Sequence, residues 1–223
     1  MPSNPPTSLF DPKRILALAL YVITRPADYF RTMPRTGALA EPLVFASAMA
    51  VVSALLAALI MLAGGGARAS LLDILVTVPL MTIGAAFIVG GILFLVWKLL
   101  GSQQRYETAF RCVTATLAIN PLTVIINLIP YLGILVGIAW TSYLLVVASV
   151  EVHGIARRKA AITFTVLGVL LAGSALVGEY SSRQFSARLE AMGITQEEFS
   201  QMSADEIRAV VEKMLQPELE PLP

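Results

Sequence analysis

Residues 107–153 read ETAFRCVTATLAINPLTVIINLIPYLGILVGIAWTSYLLVVASVEVH, and their reading decides the fold. Two apolar runs flank the joint Ile129-Pro130-Tyr131-Leu132-Gly133. Each run approaches the roughly 20 residues that a helix needs to cross the hydrocarbon of a bilayer. The joint leaves room only for a reversal, so the stretch predicts an antiparallel pair of membrane helices, over about 106–129 and 132–152.

The rest of the chain agrees. It has 223 residues, of which 57% are hydrophobic and only 14% charged, with a mean hydropathy of +0.76. A soluble domain carries about 25% charged residues. A net charge of +1 gives no argument for nucleic acid. Cys112 is the single cysteine, so no internal disulfide and no Cys/His metal cluster are expected. Its expected place is in helix packing, as a small apolar side chain. The start, MPSNPPTSLFDPKR, lacks the charged-then-apolar order of a cleavable leader.

Outward from the hairpin, three more spans are expected. Residues 43–63 follow Pro42, which suits a first helical turn, and stop at Gly64-Gly65-Gly66. Residues 71–99 follow Ser70, an N-cap candidate with Asp73 three residues on. Pro79 and Gly90-Gly91 are bend candidates there, and Trp97-Lys98 reads as an interface anchor. Residues 160–178 form the fifth span. The fold class is thus an all-α integral membrane protein with five transmembrane helices over 42–178.

Both ends differ from this core. Residues 1–12 are expected to be disordered. Within 13–41, KRILALALYVIT is apolar but too short to span, and Pro26 ends it. It predicts an interfacial helix with lipid-facing leucines, followed by a short piece that sets Tyr29, Phe30 and Met33 on one side. Residues 179–216 predict an acidic tail of short amphipathic helices. The first runs over about 181–192, and the capping boxes Thr195–Glu198 and Ser203–Glu206 start the others. Residues 217–223 are Pro-rich.

Charge sets the orientation. With the N-terminus inside, Lys13, Arg14, Arg25, Arg31, Arg35, Lys98, Arg105, Arg111, Arg157, Arg158 and Lys159 are all cytoplasmic, and the outer loops carry Arg68 alone. That follows the positive-inside rule and puts the acidic tail outside.

The polar residues of the hairpin are the candidate site: Glu107, Arg111, Asn120, Asn127, Glu151 and His153. Glu107 and Arg111 share a helix face. They form either an exposed pair or a mouth in which Arg111 meets Glu151 on the neighbouring helix. His153 is either a headgroup-level side chain or a group that titrates near neutral pH. Asn120 precedes Pro121 in mid-span, where freed carbonyls need partners. Asn127 and Thr123 extend that side, and Gly133-x-x-x-Gly137 permits close packing, within the chain rather than between copies. Trp140 and Tyr143 are expected to complete a buried seam between spans 3 and 4. No nucleophile arrangement, HExxH or phosphate loop is present, so no enzyme and no cofactor are expected.

RPADYFRTMPRTGALAEPLVFA before span 1, TAFRCVTATLAINPLTVIINLIPYLGILVGIAW and EVHGIARRKA together resemble the bacterial branch of the Yip1 domain family. The resemblance covers roughly residues 10–178 and leaves out the tail. It implies five helices and a cytoplasmic N-terminus, here in a bacterial inner membrane. The eukaryotic relatives' link to vesicle traffic and small GTPases does not carry over, because their long N-terminal region is absent. Two functions stay open: a membrane-organising protein that binds lipid or partners, or a small transporter or lipid translocator using the span 3–4 seam. Membrane lipids are the expected partners, with a homo-oligomer and a protein partner for the tail left open.

Overall fold

The computed structural model describes residues 11–63 and 71–215, and among these every regular element is helical. The residue 1–10 start, Gly64-Gly65-Gly66, Arg68, the Ser70 cap and the 217–223 end lie outside the described residues, as does the side chain of Asp73.

Two compact units divide the chain, residues 1–174 and 175–223. The first opens with α1 (Pro12–Thr24) and α2 (Pro26–Thr32). The Asp11 side chain accepts from the Lys13 backbone N–H and caps α1. Pro26 has no N–H to continue α1 but suits the first turn of α2, so the chain bends between Arg25 and Pro26. Leu16 and Leu20 of α1 point outward, while Val22, Phe30 and Met33 are buried.

Among the described residues, five helices are long and apolar enough to cross a membrane. The first is α3 (Ala40–Leu62). The second combines a π-helical turn, Asp73–Thr77, with α4 (Val78–Leu99). The wide turn directly precedes Pro79, whose ring would clash with the carbonyl four residues back in a regular helix. Gly90 serves close packing. Its bare backbone lets Phe110 and the Tyr106 hydroxyl approach to 3.4 Å of where a β-carbon would sit.

The third span is interrupted. Helix α5 (Tyr106–Thr116) passes through a tight turn, Leu117–Ile119, into α6 (Asn120–Ile126), with Pro121 in the first turn of α6. The proline thus begins a helix instead of kinking one. The reversal to α7 (Leu132–Glu151) takes five residues and sets Tyr131 at φ 65°, a left-handed conformation. Gly133 and Gly137 of α7 lie against α6. A β-carbon at Gly133 would collide with Asn127, and one at Gly137 would crowd the Thr123 methyl at 3.1 Å. The small residues therefore pack within the chain.

Helix α8 runs unbroken over Arg157–Ala191, which corrects the separate span and tail helix expected to divide near residues 178–181. The composition changes there but the backbone does not. Gly178 is tolerated inside a helix at about 1 kcal/mol. Glu179 and Arg183 then pair one turn apart at 2.7 Å.

The second unit holds the end of α8, α9 (Gln196–Gln201) and α10 (Ala204–Leu215). Both capping boxes form: Thr195 and Ser203 accept from the backbone N–H groups of Glu198 and Glu206, whose carboxylates accept in return. These bonds hold both carboxyls below the usual carboxylate range. Phe185 and Phe199 meet edge to face at 5.3 Å, and Leu189 is buried beside them in sequence.

Candidate functional site

Titratable and polar side chains gather at one end of the five-helix unit, and their partners differ from those expected. Arg111 is buried, with its side chain 7% exposed. It donates to the Ala38 carbonyl at 2.8 Å and lies 3.5 Å from the Glu41 carboxylate. It pairs with neither Glu107 nor Glu151. Glu41 also takes Arg14 of α1 at 2.6 Å. Glu151 takes Arg31 of α2 through two parallel bonds of 3.1 and 3.2 Å. This fork also holds the Arg31 guanidinium above its ordinary pKa.

The physical reason is reach. Helix α2 and the segment after it run over the ends of α5 and α7, so each charge meets them before it meets the other spanning helix. Thr108 donates to the Arg35 carbonyl at 2.7 Å, and Arg35 donates to the Glu151 carbonyl at 3.4 Å. Gly37 sits at φ 126°, and a β-carbon there would come within 3.2 Å of the Arg111 guanidinium. A side chain at 37 would therefore meet both an unfavourable backbone conformation and the arginine.

A second, drier network lies alongside. Trp97, expected at the interface, is only 1% exposed. Its Nε1–H donates to Ser149 Oγ at 2.8 Å, and Ser149 donates to the Leu145 carbonyl. The indole stacks on His153 with ring centres 4.0 Å apart. Ser102 Oγ lies 2.7 Å from His153 Nδ1 and also accepts from the Gln104 N–H. Nε2 faces Cys112 Sγ at 3.9 Å. Burial, with Arg35 and Lys98 nearby, pushes the imidazole down to about 4. His153 is therefore a neutral packing group at physiological pH, rather than one that titrates near neutral pH.

In the span 3–4 seam, α6 and α7 approach closely at Gly133 and Gly137. Asn120 starts α6, Asn127 ends it against Gly133, and neither amide hydrogen-bonds to α7 among the described residues. Trp140 buries its Nε1 without a hydrogen-bond partner, while Tyr143, whose ring centre lies 5.4 Å from the indole, is 46% exposed. Open space lies there instead: a groove of about 730 Å³ between α7 and α8, reached by Tyr143, Glu151 and Arg157. Glu107 takes part in no pair among the described residues.

Sequence reasoning missed Arg31, Arg35, Glu41, Trp97, Ser102 and Ser149. The available signal was the density of arginine before α3, which was read for orientation alone. No group of three or more potential metal ligands occurs among the described residues.

Five apolar helices, a buried polar end and no strand among the described residues define a multi-pass helical membrane protein. The Yip1 domain model matches residues 20–178, and the chain belongs to the Yip1 domain family. No curated protein and no solved structure matches it.

Proposed function

We propose that this chain is a non-enzymatic membrane-organising protein of the Yip1 type, acting through lipid and partner contacts at its two amphipathic ends. The carrying observation is how its charges are used. Arg14, Arg31, Arg35, Glu41, Arg111 and Glu151 all bind α1, α2 or the segment after them to the spanning helices. Charges so engaged brace a surface rather than face a substrate. The braced surface presents Leu16 and Leu20, which suits an interfacial helix. The basic residues cluster at this end, which supports placing it, with the N-terminus, on the cytoplasmic side of a bacterial inner membrane. The acidic 179–216 tail then faces outside and is the second contact surface. A homo-oligomer fits the same reading.

Photocrosslinkers at Leu16 and Val211, in native membranes, test this. The expected products are lipid adducts from Leu16 and a protein adduct from Val211. A monomeric chain that forms neither, and that moves solute or lipid across proteoliposomes, overturns the reading in favour of a transporter or translocator.

A further inference from the structure

The groove between α7 and α8 has two ends that differ. Along most of its length the walls are apolar: Leu135, Ile138, Val146 and Val147 from α7, Ala161 and Val169 from α8. One end is ionic, formed by Glu151 and Arg157. Both walls are spanning helices, so the apolar part lies at hydrocarbon depth and the ionic end at the helix ends.

Its dimensions suit a chain-like occupant. From Leu135 to Glu151, α7 rises about 24 Å, more than the roughly 15 Å of one hydrocarbon leaflet. Spread over that length, a volume of about 730 Å³ leaves a mean cross-section of about 30 Å². That is a long, narrow slot. Its volume also lies within the ~300–1,000 Å³ of small-molecule pockets.

The charge at the mouth decides which lipid. Both carboxylate oxygens of Glu151 are taken by Arg31, so its negative charge is already matched. Arg157 is exposed and has no acidic partner among the described residues. Arg158 and Lys159 follow it, and no acidic residue occupies the first turn of α8. The mouth therefore carries the Arg157 cation at the positive end of a helix dipole, with Arg158 and Lys159 next to it in sequence, beside a slot for an apolar chain.

We propose that the α7–α8 groove holds one acyl chain of an anionic glycerophospholipid, with its phosphate on Arg157 and the first turn of α8. This rests on the lipid-contacting reading above and names the lipid class. A zwitterionic lipid offers no net charge to the three cations, and annular lipid requires no slot. A second copy of the chain would supply apolar side chains but no anion for the mouth.

The test uses the full chain in nanodiscs of mixed phosphatidylglycerol and phosphatidylcholine, with native mass spectrometry counting the lipids retained on release. Wild type is expected to retain phosphatidylglycerol over phosphatidylcholine by at least about fivefold, the scale set by a basic residue near an anionic headgroup. R157Q/R158Q/K159Q is expected to abolish the preference while keeping some lipid. Ala139→Trp fills the apolar slot and is expected to lose both lipids. Arg31→Ala uncovers the Glu151 carboxylate at the mouth, so it is expected to weaken the preference while both lipids are still retained. Equal retention of the two lipids by wild type overturns the proposal, as does an unchanged preference in the triple variant. A groove occupied by a second copy, seen as dimers that carry no lipid, overturns it too. Any of these failures leaves the crosslinking result untouched, so the two readings fail separately.

Discussion

Helix α5 with its continuation through α6 is the least apolar of the five spans, with a mean hydropathy of 1.6, yet 56% of its apolar window is buried. Helix α8 reaches 2.2 with only 17% buried. Hydrophobicity and burial run in opposite directions here. In water the most apolar helix would sit deepest. In a bilayer, lipid tails match apolar side chains as well as protein does, and polar groups need protein partners. Thr108, Arg111 and Thr114 therefore sit inside, while Val169, Leu170 and Leu171 face outward.

Substitutions in the two helices should separate accordingly. The largest effect is expected from Phe110→Ala in α5. Phe110 is fully buried and stacks on Phe87 at 4.6 Å, so truncation should cost about 3–5 kcal/mol in a detergent-unfolding titration. A loss below 1 kcal/mol there would break the comparison.

Acid should weaken the same interior. His153 binds a proton at about 4 in the folded chain against 6.5 when unfolded, so the unfolded state holds more protons between those values. Stability should be full above about pH 6.5 and fall by about 3 kcal/mol as pH drops to 4. His153→Gln should flatten that slope. If the slope persists in the variant, the assignment of a dry site to His153 is wrong.

Arg111→Met comes next. It leaves the Ala38 carbonyl without its donor, an expected loss of about 1–3 kcal/mol. The segment before α3 should loosen first, visible as faster hydrogen exchange near residue 38. On α8, Leu170→Ala removes a side chain 64% exposed and should stay within about 0.5 kcal/mol of wild type. A larger loss would mean that another protein surface, not lipid, covers this face.

These contrasts also explain what could be read beforehand. The five spans were legible because each is a long apolar run that carries its own signal. The capping boxes were legible because their partners are three residues apart. Arg111 was legible as important but not in its partner, because Ala38 and Glu41 lie some seventy residues earlier on a segment with no periodicity. Trp97 resembled an interface anchor by its place beside Lys98. Ser149 and His153, which make it an interior residue, lie 52 and 56 positions away. The division expected near residue 178 followed composition, whereas helix continuity depends on the backbone, and Gly178 alone does not break it.

The sequence by itself determined the solvent, the number of spans and the family, because apolar run length and local spacing act through the chain's immediate neighbours. Tertiary structure alone decided where the charges go and where space remains. The segment between α2 and α3 lies over the ends of α5 and α7 and takes Arg111 and Glu151 as anchors. Gly133 and Gly137 let α6 and α7 approach closely, and the open groove falls between α7 and α8 instead. Pairing and cavity shape depend on which distant surfaces meet, and no local pattern encodes that.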